Sequence, residues 1–144
     1  MLLGEYEHTI DGKNRLTLPA RFRPAFADGV VVTRGIDPCL AVYTKDGWDQ
    51  FVVSQMSGLD QFSREARQLR RYLFSAGVEA ELDRQGRVTL PAGLMKRVGL
   101  TKDVVVAGIG DSLEVWDRRA WEAQLEEVEG RAEVVAERLA ARDS

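Results

Sequence analysis

Apolar and polar side chains alternate in two short stretches of the chain, and the same kind of residue follows each stretch. Residues 16–18 read Leu-Thr-Leu and precede Pro19, while residues 88–90 read Val-Thr-Leu and precede Pro91. Alternation with a period of two predicts a β-strand, and proline suits the start of a helix, where its missing N–H costs no hydrogen bond. The pattern therefore predicts a strand followed by a short helix at two places.

These stretches belong to a longer internal repeat. Residues 10–20 (Ile-Asp-Gly-Lys-Asn-Arg-Leu-Thr-Leu-Pro-Ala) align with residues 82–92 (Leu-Asp-Arg-Gln-Gly-Arg-Val-Thr-Leu-Pro-Ala), 72 positions later. The match continues through a valine triplet, an apolar run and a tryptophan in each copy. The repeated unit is therefore about 45 residues long, which is the size of one supersecondary motif.

Each unit predicts a β-hairpin around an Asp-x-x-x-Arg loop, and residues 5–10 and 78–82 are the strands that enter the two loops. Asn14 and Gly86 hold equivalent places, and both residue types tolerate the positive φ of a tight turn. The valine triplets and the apolar runs after them predict a second strand pair in each unit. A unit of this size cannot bury both faces of its sheet, so the two copies must pack together.

Apolar residues recur at helical spacing between the repeats and predict two amphipathic connecting helices. The helical positions are Trp48, Phe51, Val52, Gln55 and Met56 in the first helix and Phe62, Ala66, Leu69, Leu73 and Phe74 in the second. We therefore expect a first repeat at residues 5–50, connecting helices at 51–76, a second repeat at 77–121 and an acidic C-terminal helix at 122–144.

The C-terminal segment carries an apolar stripe on an otherwise charged helix. The stripe consists of Trp121, Leu125, Val128, Ala132, Val135 and Leu139. Such a stripe requires a partner surface, which is either the rest of the same chain or a neighbouring subunit. Gly130 interrupts the helix and is expected to cost about 1 kcal/mol relative to alanine.

The net charge of −3 hides two basic segments. Residues 11–23 contain four cations against one aspartate, and residues 83–97 do the same, so each segment has a local charge of +3. Residues 117–144 contain eight acids against five arginines and account for much of the acidic total. A basic patch of this kind is the usual electrostatic mark of a nucleic-acid surface.

The residue types that enzymes and metal sites require are sparse. His8 is the single histidine and Cys39 the single cysteine, so these residues form neither a zinc cluster nor an intrachain disulfide. No glycine-rich phosphate loop is present, so we expect no catalytic residues, metal or cofactor. No stretch is apolar enough to cross a membrane and the start does not resemble a secretion signal, which predicts a cytoplasmic protein.

The duplicated Asp-x-x-x-Arg loop, followed at fixed spacing by Leu-Pro and a short helix, resembles the AbrB-type swapped-hairpin barrel. Two such units in one chain of this length resemble the MraZ family of transcription factors, and the resemblance covers roughly residues 1–125. It implies an α+β fold in which two tandem hairpin and short-helix repeats form one pseudo-symmetric barrel. Asn14 stands where this family usually has glycine. We expect the turn to survive, although the freedom of Gly12 leaves a shifted hairpin register open.

The resemblance also implies a function and an assembly. The expected protein is a nucleoid-associated regulator, in particular a repressor, of the promoter that heads the division and cell-wall gene cluster. Its expected partners are double-stranded DNA with tandem direct repeats and further copies of the same chain, arranged as a ring of several subunits.

The chemistry of the loops suits DNA, because a two-stranded ribbon is narrow enough to enter the major groove. A guanidinium group can donate two hydrogen bonds to guanine O6 and N7, which makes arginine the preferred reader of that base. The residues that we expect to bind DNA are Arg15 and Arg87 as base readers, Lys13 and Arg84 as phosphate contacts, and Asp11 and Asp83 as residues that orient the arginines.

Three alternatives remain open for these residues. Each Asp-Arg pair could simply close its hairpin as a surface ion pair, worth about 0–1 kcal/mol. The cations of the short helices, Arg21, Arg23, Lys96 and Arg97, are equally consistent with solvent exposure and with phosphate contact. The same barrel could also serve as a non-DNA interaction module, such as an antitoxin that wraps a toxin with its C-terminal segment.

Overall fold

The computed structural model describes residues 1–142 and has an α+β architecture with eight antiparallel strands and six helices in those residues. The strands are β1 (Leu2–Thr9), β2 (Arg15–Thr17), β3 (Val30–Arg34), β4 (Leu40–Thr44), β5 (Val78–Ala80), β6 (Arg87–Thr89), β7 (Asp103–Gly110) and β8 (Leu113–Asp117). The helices are a 3₁₀ helix (Ala20–Phe26), α1 (Lys45–Phe51) continued by a π-helical turn (Val52–Met56), α2 (Arg64–Phe74), α3 (Ala92–Arg97), α4 (Arg118–Glu129) and α5 (Ala132–Arg142).

The strands of the two repeats interleave. A six-stranded sheet has the order β1-β7-β8-β4-β3-β5, and a separate two-stranded ribbon pairs β2 with β6. The edge strand β1 of the first repeat pairs with β7 of the second, and the edge strand β5 of the second repeat pairs with β3 of the first. Each half of the sheet therefore contains a strand from the other repeat, and neither repeat completes a sheet by itself.

The predicted hairpin around each Asp-x-x-x-Arg loop is wrong beyond the turn. β2 pairs with β6 and not with β1, and β5 pairs with β3 and not with β6. The arms of the first loop are joined by the hydrogen bond from the Asp11 N–H to the Arg15 carbonyl (3.0 Å) and then separate. They separate because β1 gains eight residue pairings along the long strand β7, more than the three-residue strand β2 offers. The second strand pairs, β3 with β4 and β7 with β8, form as predicted.

One core lies between the ribbon and the large sheet. Leu16 and Val88 face each other on the inner side of the ribbon and are fully buried. Val30 and Val104 contribute equivalent positions of the two repeats to the same cluster. Because both copies supply every layer of this core, we expect the two repeats to fold together rather than as independent units.

A short helix follows each ribbon strand, as predicted from Pro19 and Pro91, and both prolines occupy the N-cap position. Phe22 in the first helix and Leu94 in the second are buried against the core. The first helix is 3₁₀ because Pro24 inside it has no N–H to donate to an α-helical partner. The second helix has no internal proline and is α-helical.

The outer face of the large sheet is covered by the connecting helices and by α4. Both connecting helices form as predicted, although the first begins at Lys45 and Phe62 lies before the second and is exposed. The Thr33 hydroxyl donates to the Leu73 carbonyl at 2.6 Å, which ties α2 to β3. In the second repeat, the ring of Trp121 in α4 packs 5.8 Å from that of Trp116 in β8, which corresponds to the contact of Trp48 with Tyr43 (5.4 Å) in the first repeat.

The apolar stripe of the C-terminal segment divides into a packed part and an exposed part. Trp121 and Leu125 are half-buried, whereas Val128 and Leu139 are exposed, and α5 contains no buried residue. The helix breaks at Gly130, as the sequence predicts. The last two positions of the expected helix at 122–144 lie outside the described residues. Among residues 1–142, no helix is long and apolar enough to cross a membrane.

Candidate nucleic-acid interface

The first loop is organised by one carboxylate. Oδ1 of Asp11 accepts the backbone N–H groups of Lys13 and Arg15, each at 2.9 Å. Its Oδ2 accepts Nε of the Arg15 side chain at 2.7 Å. An aspartate that binds the backbone two and four residues ahead fixes the turn, and the ion pair then fixes the arginine that follows it.

The second loop repeats this arrangement with different residues between the aspartate and the arginine. Asp83 accepts the backbone N–H groups of Gln85 and Arg87 at 2.9 Å and Nε of Arg87 at 2.7 Å. The arginine side chains are 29% exposed at Arg15 and 26% exposed at Arg87, so each guanidinium is partly enclosed and restricted in orientation.

Asn14 and Gly86 both adopt the positive φ expected of them, at 60° and 77°. The carbonyl of Asn14 accepts the Leu90 N–H at 2.8 Å, and the carbonyl of Gly86 accepts the Leu18 N–H at 2.9 Å. Each loop is therefore tied to the strand end of the other repeat. The register is the same in both loops, so the asparagine and Gly12 do not displace the first loop.

The loop hydrogen bonds lower the pKa values of both aspartates. The Arg15 backbone N–H, followed by the Arg15 side chain and the Lys13 N–H, lowers the pKa of Asp11 from 3.8 to about 2, against the opposing effect of desolvation. The pKa of Asp83 is lowered by the corresponding groups of Arg87 and Gln85. Both carboxylates are therefore ionised and paired with their arginines near neutral pH.

The register of the ribbon places the two arginines on one face. Arg15 lies opposite Thr89 and Thr17 opposite Arg87, and side chains at these alternate positions point away from the core. Arg15 and Arg87 are diagonal neighbours, with Cα atoms roughly 7–8 Å apart by ordinary sheet geometry. Thr17 and Thr89 are equivalent residues of the repeat, but the repeat alone does not indicate that they lie beside the arginines. That proximity follows from the pairing of β2 with β6. We call these four residues the ribbon face.

The ion pairs leave one edge of each guanidinium for a ligand. Nε of Arg15 and of Arg87 is used by aspartate, while the terminal Nη1 and Nη2 atoms have no hydrogen bond among the described residues. These two nitrogens form a fork with parallel N–H donors. The arrangement can therefore bind two acceptors that lie side by side, such as a carboxylate, a phosphate or the O6 and N7 atoms of guanine.

The other candidate cations occupy unequal positions. Lys13 and Arg84 are exposed at the loop tips but are not equivalent, because Lys13 aligns with Gln85 and Arg84 with Gly12. The remaining candidates lie on or next to the short helices. Nη1 of Arg21 donates to the Tyr6 hydroxyl at 2.9 Å, Nε of Arg23 donates to the Leu18 carbonyl at 3.0 Å, and Lys96 and Arg97 are exposed.

His8 and Cys39 have the environments of structural residues. Burial and the nearby charge of Arg23 lower the pKa of His8, which favours its neutral form. Burial, followed by the charge of Glu114, raises the pKa of the Cys39 thiol and disfavours the reactive thiolate. Within residues 1–142, no three His, Cys, Asp or Glu side chains are grouped so that they could hold a metal ion.

Comparisons with known proteins agree with the duplication of the chain. The family model described as "MraZ protein, putative antitoxin-like" matches twice, at residues 1–72 and 73–143. Proteins named transcriptional regulator MraZ from Roseiflexus castenholzii and from Roseiflexus sp. strain RS-1 are each 44% identical over 140 residues, which is 97% of this chain and 97% of theirs. These relatives are regulators of transcription, a class without enzymatic activity. The chain therefore belongs to the MraZ family and contains two tandem copies of its domain.

Proposed function

We propose that this chain is a sequence-specific DNA-binding transcriptional regulator that reads bases with Arg15 and Arg87. The observation that carries the proposal is the ribbon face, on which two arginines are diagonal neighbours, each oriented by its own aspartate and each with Nη donors that bind no other described residue. The Asp-Arg ion pairs do not simply close hairpins, because the two arms of each loop diverge beyond the turn and pair with other strands.

Each arginine is expected to bind guanine end-on through Nη1 and Nη2. A good bidentate pair discriminates by about 1–3 kcal/mol, which is roughly 5-fold to 150-fold in affinity. Lys13 and Arg84 at the loop tips are placed to contact phosphates, which supply affinity without sequence information. The local charge of +3 in each loop segment supports this division of roles.

Two arginines per chain do not supply the affinity of a typical regulator, roughly 10⁻⁸–10⁻¹¹ M, so several chains must act together. We propose that the ribbon and the large sheet act as one swapped-hairpin barrel and that several such barrels assemble into a ring. Linked loops that meet tandem direct repeats raise the affinity by about 10²–10⁴-fold when the spacing fits. By family resemblance, the target is the promoter of the division and cell-wall genes, where the protein acts as a repressor on the nucleoid in the cytoplasm.

Selection from random DNA followed by footprinting tests sequence recognition. The expected result is an enriched motif that occurs as a direct repeat. Lengthening the spacers by half a helical turn at fixed salt is then expected to reduce the affinity strongly, because neighbouring loops no longer meet the same side of the DNA. Equal affinity for one repeat and for an array would contradict the multivalent assembly.

The exposed helix α5 supports the assembly and also a second candidate function. Leu139 is 54% exposed and lies one helical turn from Val135 of the apolar stripe, so this face of α5 is a surface expected to bind another protein or another copy of the chain. Ending the chain after Glu129 removes α5 and keeps the packed Trp121. If α5 joins subunits, this truncation lowers the mass measured by light scattering without lowering the melting temperature.

The second candidate is an antitoxin-like module, in agreement with the description of the family model. It predicts that α5 binds a protein encoded beside this one and that the selection from random DNA yields no motif. Calorimetry with the purified neighbouring protein and the truncated chain separates the two functions. Partner binding that requires α5, together with absent DNA preference, would replace the DNA-binding proposal.

A further inference from the structure

Arg23 of the first repeat covers the backbone of the second loop. Its Nε donates to the Leu18 carbonyl at 3.0 Å, and the Leu18 N–H in turn donates to the Gly86 carbonyl at 2.9 Å. A Cβ atom added at Gly86 would lie 2.3 Å from Nε, 2.5 Å from Cδ and 2.8 Å from Cζ of Arg23. The arginine therefore occupies the space next to Gly86 that a side chain would require, and Gly86 is buried.

No arginine among residues 1–142 lies over the first loop in the way that Arg23 lies over the second. Met95 holds the position that corresponds to Arg23, 72 residues later, and its thioether has no N–H to donate. The Leu90 N–H still binds the Asn14 carbonyl at 2.8 Å, but no side chain among residues 1–142 donates to the Leu90 carbonyl as Arg23 does to that of Leu18. Asn14 and Met95 instead line a surface cavity of about 380 Å³, and Asn14 is half-buried.

Arg23 lies beside the glycine whose backbone is otherwise the freest to move. Glycine loses more conformational freedom on ordering than any other residue, so a loop with glycine next to its reading arginine is intrinsically the more mobile one. Gly86 directly precedes Arg87, and Arg23 restricts this glycine. Asn14 directly precedes Arg15, and its own Cβ already limits the backbone.

We propose that Arg23 is a positioning residue which holds the second loop, and with it Arg87, in the conformation that reads DNA. The inference rests on the DNA-binding function proposed above. It makes the second loop a pre-ordered reader, although the glycine before Arg87 would otherwise leave that loop the more mobile of the two. Ordering a contact before binding lowers the entropy lost on association, so Arg23 contributes to specific affinity without touching a base.

The first arm of the test measures loop order in the full-length protein without DNA. Arg23→Lys keeps the charge but loses the planar group over Gly86, and Met95→Leu is the matched control on the first loop. Arg23→Lys should raise amide exchange at Gly86 and Arg87 about tenfold, the effect of losing roughly one hydrogen bond, and leave Asn14 and Arg15 unchanged. Met95→Leu should change neither loop. Equal acceleration in both loops, or none, would overturn the proposal.

The second arm measures binding to the selected DNA and to random DNA. Arg23→Lys is expected to weaken specific binding several-fold in the wild-type and Arg15→Ala backgrounds and to add no loss in the Arg87→Ala background. The loss of specific binding should exceed any loss of binding to random DNA, because the charge at position 23 is conserved. The same loss in all three backgrounds would indicate a general structural effect and would overturn the role.

The two experiments also distinguish a failure of this inference from a failure of the DNA-binding function on which it rests. A wild-type protein that shows no sequence preference would overturn DNA recognition, and with it the reading role of Arg23, even if amide exchange still showed that Arg23 orders the second loop. A wild-type protein that selects a motif, with Arg23→Lys variants that bind it equally well, would overturn the inference alone.

Discussion

The two Asp-x-x-x-Arg loops make the same hydrogen bonds with different residues. Asp11 and Asp83 each bind two backbone N–H groups and one arginine Nε at matching distances, although Gly-Lys-Asn lies inside the first loop and Arg-Gln-Gly inside the second. The loop shape therefore depends on the aspartate, the arginine and one residue with positive φ. What distinguishes the loops is their neighbour, an arginine over the second and a methionine beside the first.

The largest expected difference between the loops comes from alanine at the two positive-φ positions. Gly86→Ala forces a non-glycine residue to φ 77° and pushes against Arg23, so it should lower the free energy of unfolding by about 1–3 kcal/mol. Asn14→Ala, whose Cβ is already accommodated, should cost less. Urea denaturation measures both. An equal loss of unfolding free energy in both variants would show that the Arg23 side chain moves aside at little cost and that the two loops are equivalent.

Replacing the aspartates should have a smaller effect, and the same one in both loops. Asp11→Ala and Asp83→Ala remove the acceptors for backbone and side chain together, whereas Asp→Asn at either site keeps an acceptor for the two backbone N–H groups. We expect alanine to lower the melting temperature more than asparagine does, and asparagine to reduce mainly the DNA specificity. If the alanine and asparagine variants have the same melting temperature, the turn does not depend on the hydrogen bonds from the backbone N–H groups to the aspartate.

The pH dependence follows from the lowered pKa values of the aspartates. Because the folded-state pKa of Asp11 is about 2 and its ordinary value is 3.8, the loop contributes its full stability above about pH 3.8 and loses it as the pH falls toward 2. Asp83 shifts in the same direction. Carboxyl carbon shifts followed by NMR should titrate below 3.8 at both sites. A normal pKa at either site would mean that its loop is open in solution.

The smallest effect is expected for Asn14→Gly, which makes the first loop resemble the second at this position. The backbone already adopts φ 60°, and the relief from strain opposes the greater freedom of glycine in the unfolded chain. The unfolding free energy should therefore change by no more than about 0.5 kcal/mol. Amide exchange at Arg15 should nevertheless increase, because no arginine covers the first loop.

Much of the fold follows from local sequence patterns. The two positive-φ positions, the short helices and the connecting helices all depend on residues close together in the chain, and these predictions are confirmed. The repeat is confirmed by the two matches of the family model. The pattern does not predict strand partners, because alternation shows which side of a strand is buried but not which strand lies beside it. The pattern therefore predicts hairpins within one repeat, whereas β1 and β5 pair across the repeats.

The same limit applies to the candidate site. Asp11 and Arg15 are close in the chain, so their ion pair could be foreseen. The approach of Arg23 to Gly86 joins residues far apart in sequence and depends on how the two repeats pack. Likewise, the ribbon face arises from the pairing of β2 with β6, which no local pattern encodes.

The most direct test of base reading compares three single variants on the selected DNA and on random DNA over a range of salt concentrations. Arg15→Ala and Arg87→Ala should each lower the specific affinity by roughly 5-fold to 150-fold and reduce the preference over random DNA. Lys13→Ala should weaken both DNAs alike and reduce the salt slope by about one contact. Equal and small effects from all three variants would contradict the account and leave the Asp-Arg pairs with a structural role alone.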